Sequence, residues 1–408
     1  MHRLHEDLQF HYETMRALGT TPYRGADLTE VLNILPNIKA GDFDSWYNEW
    51  FALAKRVLAT VDETKEDQFS TATLRDVYFR VSHYIFVAEF FLHGNKKDPR
   101  IEEAFQLYKK YFNKANALLP IPGEHHSVKM EGGFDIPLLV YRADCASASS
   151  PRSTLIVGGG FESVMEETYH VFARAALERG YNVVLYEGPG HRCLVRQGRG
   201  FIAEWEKAVS PVVDFIINQS GSGGLPFINT AKLGLIGMSM GGYLAARAAA
   251  FEPRLQAVLL VDGVYSMLDC FLGFFPFLKE PWESGDKVAF DKAWEANPES
   301  WSSTRRWNHD DLLYTFDTDS GYEAFRESAK MTLNNGVAQR IKMPAWVGDA
   351  ADDMFFEGQP QKVATEIGSH AALVKFGPDL GGQLHCQSGA FLYLNQTMLE
   401  WWAEIVGY

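Results

Sequence analysis

The sequence predicts an α/β fold, a mostly parallel sheet with helices on both faces, preceded by a helical segment. Three observations predict it. Between residues 154 and 376, short β-branched apolar runs alternate with stretches of helical periodicity, the pattern of parallel strands covered on both sides by helices. Residues 1–122 carry helical periodicity without strand-like runs. From about 266 to 340 the alternation stops in a segment rich in Phe, Trp and acidic residues, and an insertion that long in a compact domain reads as a functional cap. The expected organisation is a helical N-terminal lid or cap domain over 1–122 and an α/β domain over 123–408 with a helical cap insertion at about 266–340.

In the leader, Phe43, Trp46, Tyr47, Trp50, Phe51, Ala54 and Leu58 recur at three and four, which predicts a helix over 42–61 that buries one face. Asp42 or Asp44 can cap it. A second helix is predicted after Ser70-Thr71, through Leu74, Val77, Tyr78, Val81, Tyr84, Ile85, Ala88 and Phe91, with Gly94-Asn95 as its stop. A third runs over 99–119, ahead of Pro120 and Pro122. Two segments, 126–130 and 136–141, flank Glu131-Gly132-Gly133-Phe134-Asp135 and predict a β-hairpin with a glycine turn. Strands are then expected at 154–157, 181–186, 233–236, 257–261, 345–347 and 372–376, with helices at about 165–179, 200–219 and 241–250.

Composition excludes several classes of partner. The 408 residues are 46% hydrophobic and 22% charged, so a core needs no covalent staples. With 38 Lys+Arg against 52 Asp+Glu and a net charge of −14, there is no basic surface for nucleic acid or an anionic membrane. Cys145, Cys193, Cys270 and Cys386 lie far apart, with neither a disulfide framework nor metal-ligand spacing. No cofactor is implied. The N-terminus lacks a basic and apolar leader, and no run of about 18 apolar residues follows, so the expectation is a cytoplasmic protein. Aromatic residues make up 13%, with 28 Phe, 17 Tyr and 10 Trp, and they crowd the leader and the insertion.

The strongest chemical signal is Gly237-Met238-Ser239-Met240-Gly241-Gly242, directly after the run 233–236 and directly before a helix. This is G-x-S-x-G in strand–turn–helix context: the serine sits on a strained turn, and the following helix N-terminus faces a developing oxyanion. A serine nucleophile needs a base beyond the last strand. His385 lies there, whereas His370 precedes that strand and reads as solvated. The orienting acid is expected after the strand 345–347, in Gly348-Asp349-Ala350-Ala351-Asp352-Asp353. Asp353 is best placed, leading into the next helix, with Asp352 as the alternative and Asp349 third. An oxyanion hole would use the N–H of Met240 and one from Gly158-Gly159-Gly160-Phe161-Glu162-Ser163, where Phe161 is the second donor. A phosphate loop is the rival reading of those glycines, and it lacks the G-K-[ST] and G-x-G-x-x-G patterns.

With these motifs the sequence resembles the α/β-hydrolase superfamily, in the group that carries a helical N-terminal domain and includes the 2,6-dihydroxypseudooxynicotine hydrolases and the fungal pigment-pathway hydrolases of the yellowish-green-1 type. Gly159-Gly160-Phe161-Glu162-Ser163, Tyr186-Glu187-Gly188-Pro189-Gly190, the Ser239 motif, Asp353-Met354-Phe355-Phe356-Glu357-Gly358-Gln359 and His385-Cys386-Gln387 carry the resemblance. It implies an α/β-hydrolase fold and hydrolysis of carbon–carbon bonds in β-diketone-like or polyketide substrates, in secondary metabolism. Members of the group also act on esters or as cyclases. The pattern Asp-x-Phe-Phe-x-Gly-Gln favours Asp353 over Asp352. Two departures stand out: His191 where relatives tend to have Gln, and Cys193 close by. An auxiliary acid of the nicotine-pathway relatives falls near Asp269, thirty residues after Ser239, where a surface or capping role is the alternative.

The expected reaction is a retro-Claisen cleavage, with Ser239 attacking a carbonyl, His385 moving the proton, and an aromatic or polyketide-like small molecule as substrate. Carboxylesterase, lactonase or thioesterase activity is the alternative, because the three residues do not distinguish a C–O from a C–C leaving group. A non-catalytic hydrolase-like binding protein is a third reading, against which the full set of Ser239, Asp353 and His385 argues. Phe161, Glu162, Tyr84 and Phe271 are the expected substrate-binding residues. The aromatic leader offers a face for a homodimer or, equally, a face packed on its own α/β domain.

Overall fold

The computed structural model describes residues 2–407. Eight strands form one sheet in the order β1-β2-β4-β3-β5-β6-β7-β8. The hairpin of β1 (Glu124–Lys129) and β2 (Asp135–Tyr141) adds to β4 (Asn182–Tyr186) in antiparallel register, Leu138 opposite Tyr186. All later pairings are parallel: β3 (Arg152–Gly158) lies between β4 and β5 (Ile228–Met238), followed by β6 (Ala257–Val261), β7 (Ala345–Ala350) and β8 (Ala371–Phe376). The carboxyl ends of β3, β5, β6 and β7 therefore open on one edge, where sheets of this kind place their sites.

The strands read as continuous apolar runs because both faces are buried. Leu155, Val157, Val183, Leu185 and Ile236 point to one side, and Ile156, Val184 and Leu235 to the other. The first side is covered by the C-terminal helix Phe391–Val406 and, in the same apolar cluster, by the leader rings Trp46, Trp50, Tyr84, Phe90 and Phe91. The aromatic leader thus packs on its own sheet. Fully burying each such ring stabilises the fold by about 1.5–3 kcal/mol.

The leader contains the three expected helices, Phe43–Leu58, Thr71–Glu89 and Pro99–Ala117, capped by Asp42, Ser70 and Asp98. It also contains one more long helix, α1 (Leu8–Gly19), whose N-cap Asp7 accepts from the Gln9 and Phe10 N–H groups. Elsewhere two helices differ from the periodicity. The one expected at 165–179 is broken by a π-helical stretch, Tyr169–Ala173, where His170 Nδ1 lies 2.9 Å from the Tyr23 carbonyl of the leader. The one expected from 200 starts at Glu206, because Phe201 and Ala203 are instead buried as an irregular segment, with Phe201 N–H bonded to the Thr315 carbonyl.

The insertion after β6 folds into helices that include Met267–Phe274, Lys287–Trp294, Ser303–Thr315 and Gly321–Ser328. Its two ends meet where Met267 N–H bonds the Met331 carbonyl and Leu333 N–H bonds the Tyr265 carbonyl, so it returns to the strand end it left. Among the described residues, no helix is long and apolar enough to cross a membrane.

Candidate active site

β5 ends in a turn that holds Ser239 at φ +60°, a left-handed conformation strained for any residue but glycine. The turn is locked by Ser239 N–H bonding the Val261 carbonyl at 2.9 Å and by Gly242 N–H bonding the Ser239 carbonyl at 2.7 Å. Its glycines are required by crowding: a Cβ at Gly237 would lie 1.9 Å from the Gly241 carbonyl oxygen, and one at Gly242 would lie 2.0 Å from that of Asp262. The strand-to-helix reversal therefore aims Oγ outward at the sheet edge.

His385 follows β8 and is buried. Its Nε2 lies 2.8 Å from Ser239 Oγ, and its Nδ1 lies 2.9 Å from Asp353 Oδ2. Asp353 Oδ1 accepts the N–H groups of Phe355 (2.7 Å) and Phe356 (3.0 Å), which fixes the carboxylate. Burial alone would raise its pKa, but the charge and hydrogen bond of His385 outweigh that and hold it below the ordinary carboxylate range. For His385, burial opposes protonation, yet the facing carboxylates, Asp353 foremost, raise its pKa well above that of free imidazole.

Sequence reasoning missed a second carboxylate. Asp262, the residue after β6, is fully buried and places Oδ2 2.6 Å from His385 Nδ1. The same oxygen accepts the Cys386 N–H at 2.9 Å and lies 3.3 Å from Cys386 Sγ. Burial, then the neighbouring Asp353, raise the pKa of Asp262, so the three groups titrate as a unit. The signal available was position: Asp262 stands directly at the carboxyl end of a central strand.

The glycine loop after β3 closes over the nucleophile turn. A Cβ at Gly160 would sit 2.4 Å from the Met238 carbonyl oxygen and 2.8 Å from Met240 N, so only glycine lets the two backbones meet. Among the described residues, neither the Met240 nor the Phe161 N–H is bonded to a protein acceptor. Both residues line the cavity with Ser239. Two free N–H groups beside the serine are what an incoming oxyanion needs.

A half-open cavity lies over Ser239 and His385. Phe161, Phe271, Trp307, Phe355 and Phe356 make an aromatic wall, and α1 contributes Tyr12, Glu13 and Arg16.

Four expected site residues lie elsewhere. Glu162 does not line the cavity: at φ +67° its side chain turns into a buried ionic cluster, where Arg192 Nη2 donates to its carboxylate at 2.7 Å. Tyr84 is in the leader core, where its hydroxyl bonds Glu30 at 2.7 Å and accepts the Asp27 N–H at 2.8 Å. Asp352 is exposed and joined through its backbone N–H to the Gln383 carbonyl, and the imidazole is met by Asp353 and Asp262 instead. Asp269 is exposed in the first turn of its helix, and the second carboxylate on His385 is Asp262. Of the remaining candidates, Asp349 bonds Gln361 at 2.6 Å, His370 is exposed, and His191 is buried against Gly188 outside the cavity.

A strained serine between strand and helix, a histidine between it and a carboxylate, and two unbonded amides thus stand together at the carboxyl edge of the sheet. Residues 155–376 match the model of the alpha/beta hydrolase family, and the chain belongs to that family. It is 31% identical over 432 residues to "Hydrolase LUC6" of Fusarium sp, covering 100% of this chain and 99% of the relative. It is 28% identical to "20-hydroxy-prefusarin hydrolase FUS2" of Gibberella moniliformis, covering 98% of this chain and 97% of that one. Among solved structures, a 2,6-dihydroxy-pseudo-oxynicotine hydrolase superimposes with a TM-score of 0.71 at 21% identity, over 95% of each chain. That last likeness extends the shared fold to the helical leader.

Proposed function

We propose that this hydrolase cleaves a carbon–carbon bond in a β-diketone-like or polyketide substrate by a retro-Claisen reaction. The observation that carries the reading is the pairing of Ser239, His385 and Asp353 at 2.8 and 2.9 Å beside a cavity lined by six Phe, Tyr and Trp rings, which suits a planar conjugated substrate. Likeness over the full chain to a hydrolase named for prefusarin supports a secondary metabolite as substrate.

Ser239 Oγ attacks one carbonyl as His385 takes its proton, and the Met240 and Phe161 N–H groups hold the oxyanion. The central C–C bond breaks with its electron pair passing to the enolate. His385 returns the proton to that carbon, and water, deprotonated by His385, releases the acyl group as a carboxylic acid. The leader and the insertion act as lid and cap over this reaction.

The test is mass spectrometry of products from candidate polyketides and 1,3-diketones, with wild type against Ser239→Ala. Loss of an acyl fragment from wild type alone is expected, with Ser239→Ala at least about 10³-fold slower. Products from C–O cleavage only would replace this reading with that of an esterase or thioesterase.

A further inference from the structure

The leader's part in the cavity points to a residue that reads the substrate. Apart from Ser239 and His385, most of the cavity wall is apolar; its polar side chains are Tyr12, Glu13 and Arg16 of α1, Asn308 of the cap and Ser163 of the glycine loop, and of these only Glu13 is a carboxylic acid and only Arg16 a cation. Two of the α1 groups are already engaged. The Tyr12 hydroxyl accepts from Ser388 Oγ at 3.2 Å, and Arg16 is held in a two-point pair by Glu167, Nε to Oε1 at 2.5 Å and Nη2 to Oε2 at 2.7 Å. On the cap side, Asn308 Nδ2 donates to the Thr304 carbonyl of its own helix.

Glu13 differs. It is 4% exposed, and its two oxygens receive only donors, Gln9 Nε2 at 3.0 Å and Arg16 Nη1 at 3.2 Å. The guanidinium that faces it is already matched by Glu167, so Glu13 is a second carboxylate on one cation. Burial raises its pKa to about 7 against the pull of Arg16, helped by Glu167 and Glu162. A carboxyl kept neutral in this way can donate a hydrogen bond, and because both protein neighbours donate to Glu13, its proton has no acceptor among the described residues and is left for a molecule in the cavity.

We propose that Glu13 binds the second, non-scissile oxygen of a 1,3-dicarbonyl substrate and donates a hydrogen bond to it as the enolate forms. This deepens the C–C hydrolase reading and rests on it. The ester or ketone carbonyl under attack lies at Met240 and Phe161, while the carbonyl that receives the electron pair lies against α1. Glu13 keeps its proton throughout: the proton that reaches the carbon comes from Ser239 by way of His385. A substrate with one carbonyl has no use for the group.

The experiment compares two probe classes on the full chain, 1-phenyl-1,3-diketones of increasing acyl length and p-nitrophenyl esters, whose leaving group needs no such help. Removal of one preorganised donor costs about 10²–10³-fold in kcat. Glu13→Met is therefore expected to lose about 10²-fold on the diketones and no more than about tenfold on the esters. Glu13→Gln, which retains a neutral donor, is expected to stay within about tenfold of wild type on the diketones. It is also expected to lack the alkaline decline that ionisation of Glu13 imposes. Equal losses on both classes in Glu13→Met, or a Glu13→Gln variant as damaged as Glu13→Met, would overturn the assignment while leaving C–C cleavage in place. Wild type that turns over the esters and none of the diketones would overturn both.

Discussion

Two buried clusters in this protein are built from the same parts and balanced in different ways. At the active site, Asp262 and Asp353 both face Nδ1 of His385, and the positive charge opposite them is an imidazolium that can lose its proton. Where leader, sheet and cap meet, Glu89, Glu162 and Asp311 surround His93, and Arg192 stands among them. Its Nη1 is 2.9 Å from Glu89 and its Nη2 is 2.7 Å from Glu162, while the ring of Tyr314 stacks on His93 at 4.3 Å. The charged side chains of both clusters are withdrawn from water, that of Asp353 at 3% exposure. A permanent cation that is bonded on both sides fixes three chain segments together; a titratable one beside an open cavity leaves a proton free to move.

The largest expected effect comes from removing the permanent cation. Arg192→Met leaves Glu89 and Glu162 buried with only His93 opposite them, and a broken buried pair costs about 3–5 kcal/mol. Denaturant unfolding should show that loss at neutral pH. Burial would raise the pKa of Glu162, but Arg192 and then His93 hold it down to about 2. Its folded pKa lies below the unfolded one, so its stabilisation is present above the ordinary glutamate pKa and is lost as pH falls toward about 2. The gap between wild type and variant should therefore narrow over that acid range. A gap of the same size at pH 3 and pH 7 would mean that Arg192 acts by packing alone.

At the site, the two acids can be separated. Asp353→Asn removes the carboxylate anchored by the Phe355 and Phe356 amides, and kcat is expected to fall by about 10²–10⁴-fold. Asp262→Asn is expected to cost about tenfold, because Asp353 still orients the imidazole. Its clearer signature is in pH. Both carboxylates raise the pKa of His385, and serine attack needs the neutral imidazole, so activity rises as pH passes through that pKa. Loss of one negative charge moves this acid limb of kcat/KM to lower pH. An unmoved limb in Asp262→Asn would reduce Asp262 to a cap on the Cys386 amide.

What the sequence disclosed follows the same division. The sheet was legible because alternate residues of each strand are buried on opposite faces, which leaves unbroken runs such as 154–157 and 257–261. Ser239, His385 and Asp353 were legible because turn and strand-end positions have local signatures. Helix α1 was not, since Gln9, Glu13, Thr14 and Arg16 are buried along with Phe10, Tyr12 and Ala17, and a helix buried on polar sides has no apolar stripe. Glu162 was misread as a substrate contact because its neighbour Phe161 does line the cavity, whereas its actual partners, His93, Arg192 and Asp311, are remote in sequence. The rings of the three expected leader helices, Tyr84 among them, went to core packing for the same reason: periodicity reports burial and says nothing of what lies on the other side.

The smallest expected effect is the control for the junction. Lys96 Nζ of the leader reaches Asp319 Oδ1 of the cap at 3.0 Å, joining the two segments that the Arg192 cluster also joins. Here the aspartate side chain is 98% exposed, so water and salt screen the pair, and ordering a lysine offsets what attraction remains. Asp319→Asn should leave the unfolding midpoint and the ester activity unchanged at physiological ionic strength. Lys96 also donates to the Thr318 carbonyl at 2.8 Å, a bond the variant keeps, so only the charge is tested. If the midpoint fell measurably, docking of leader on cap would depend on its exposed rim as well as its buried cluster. In that case the Arg192→Met loss would be shared between interface and core, and the two variants combined would show it by failing to add.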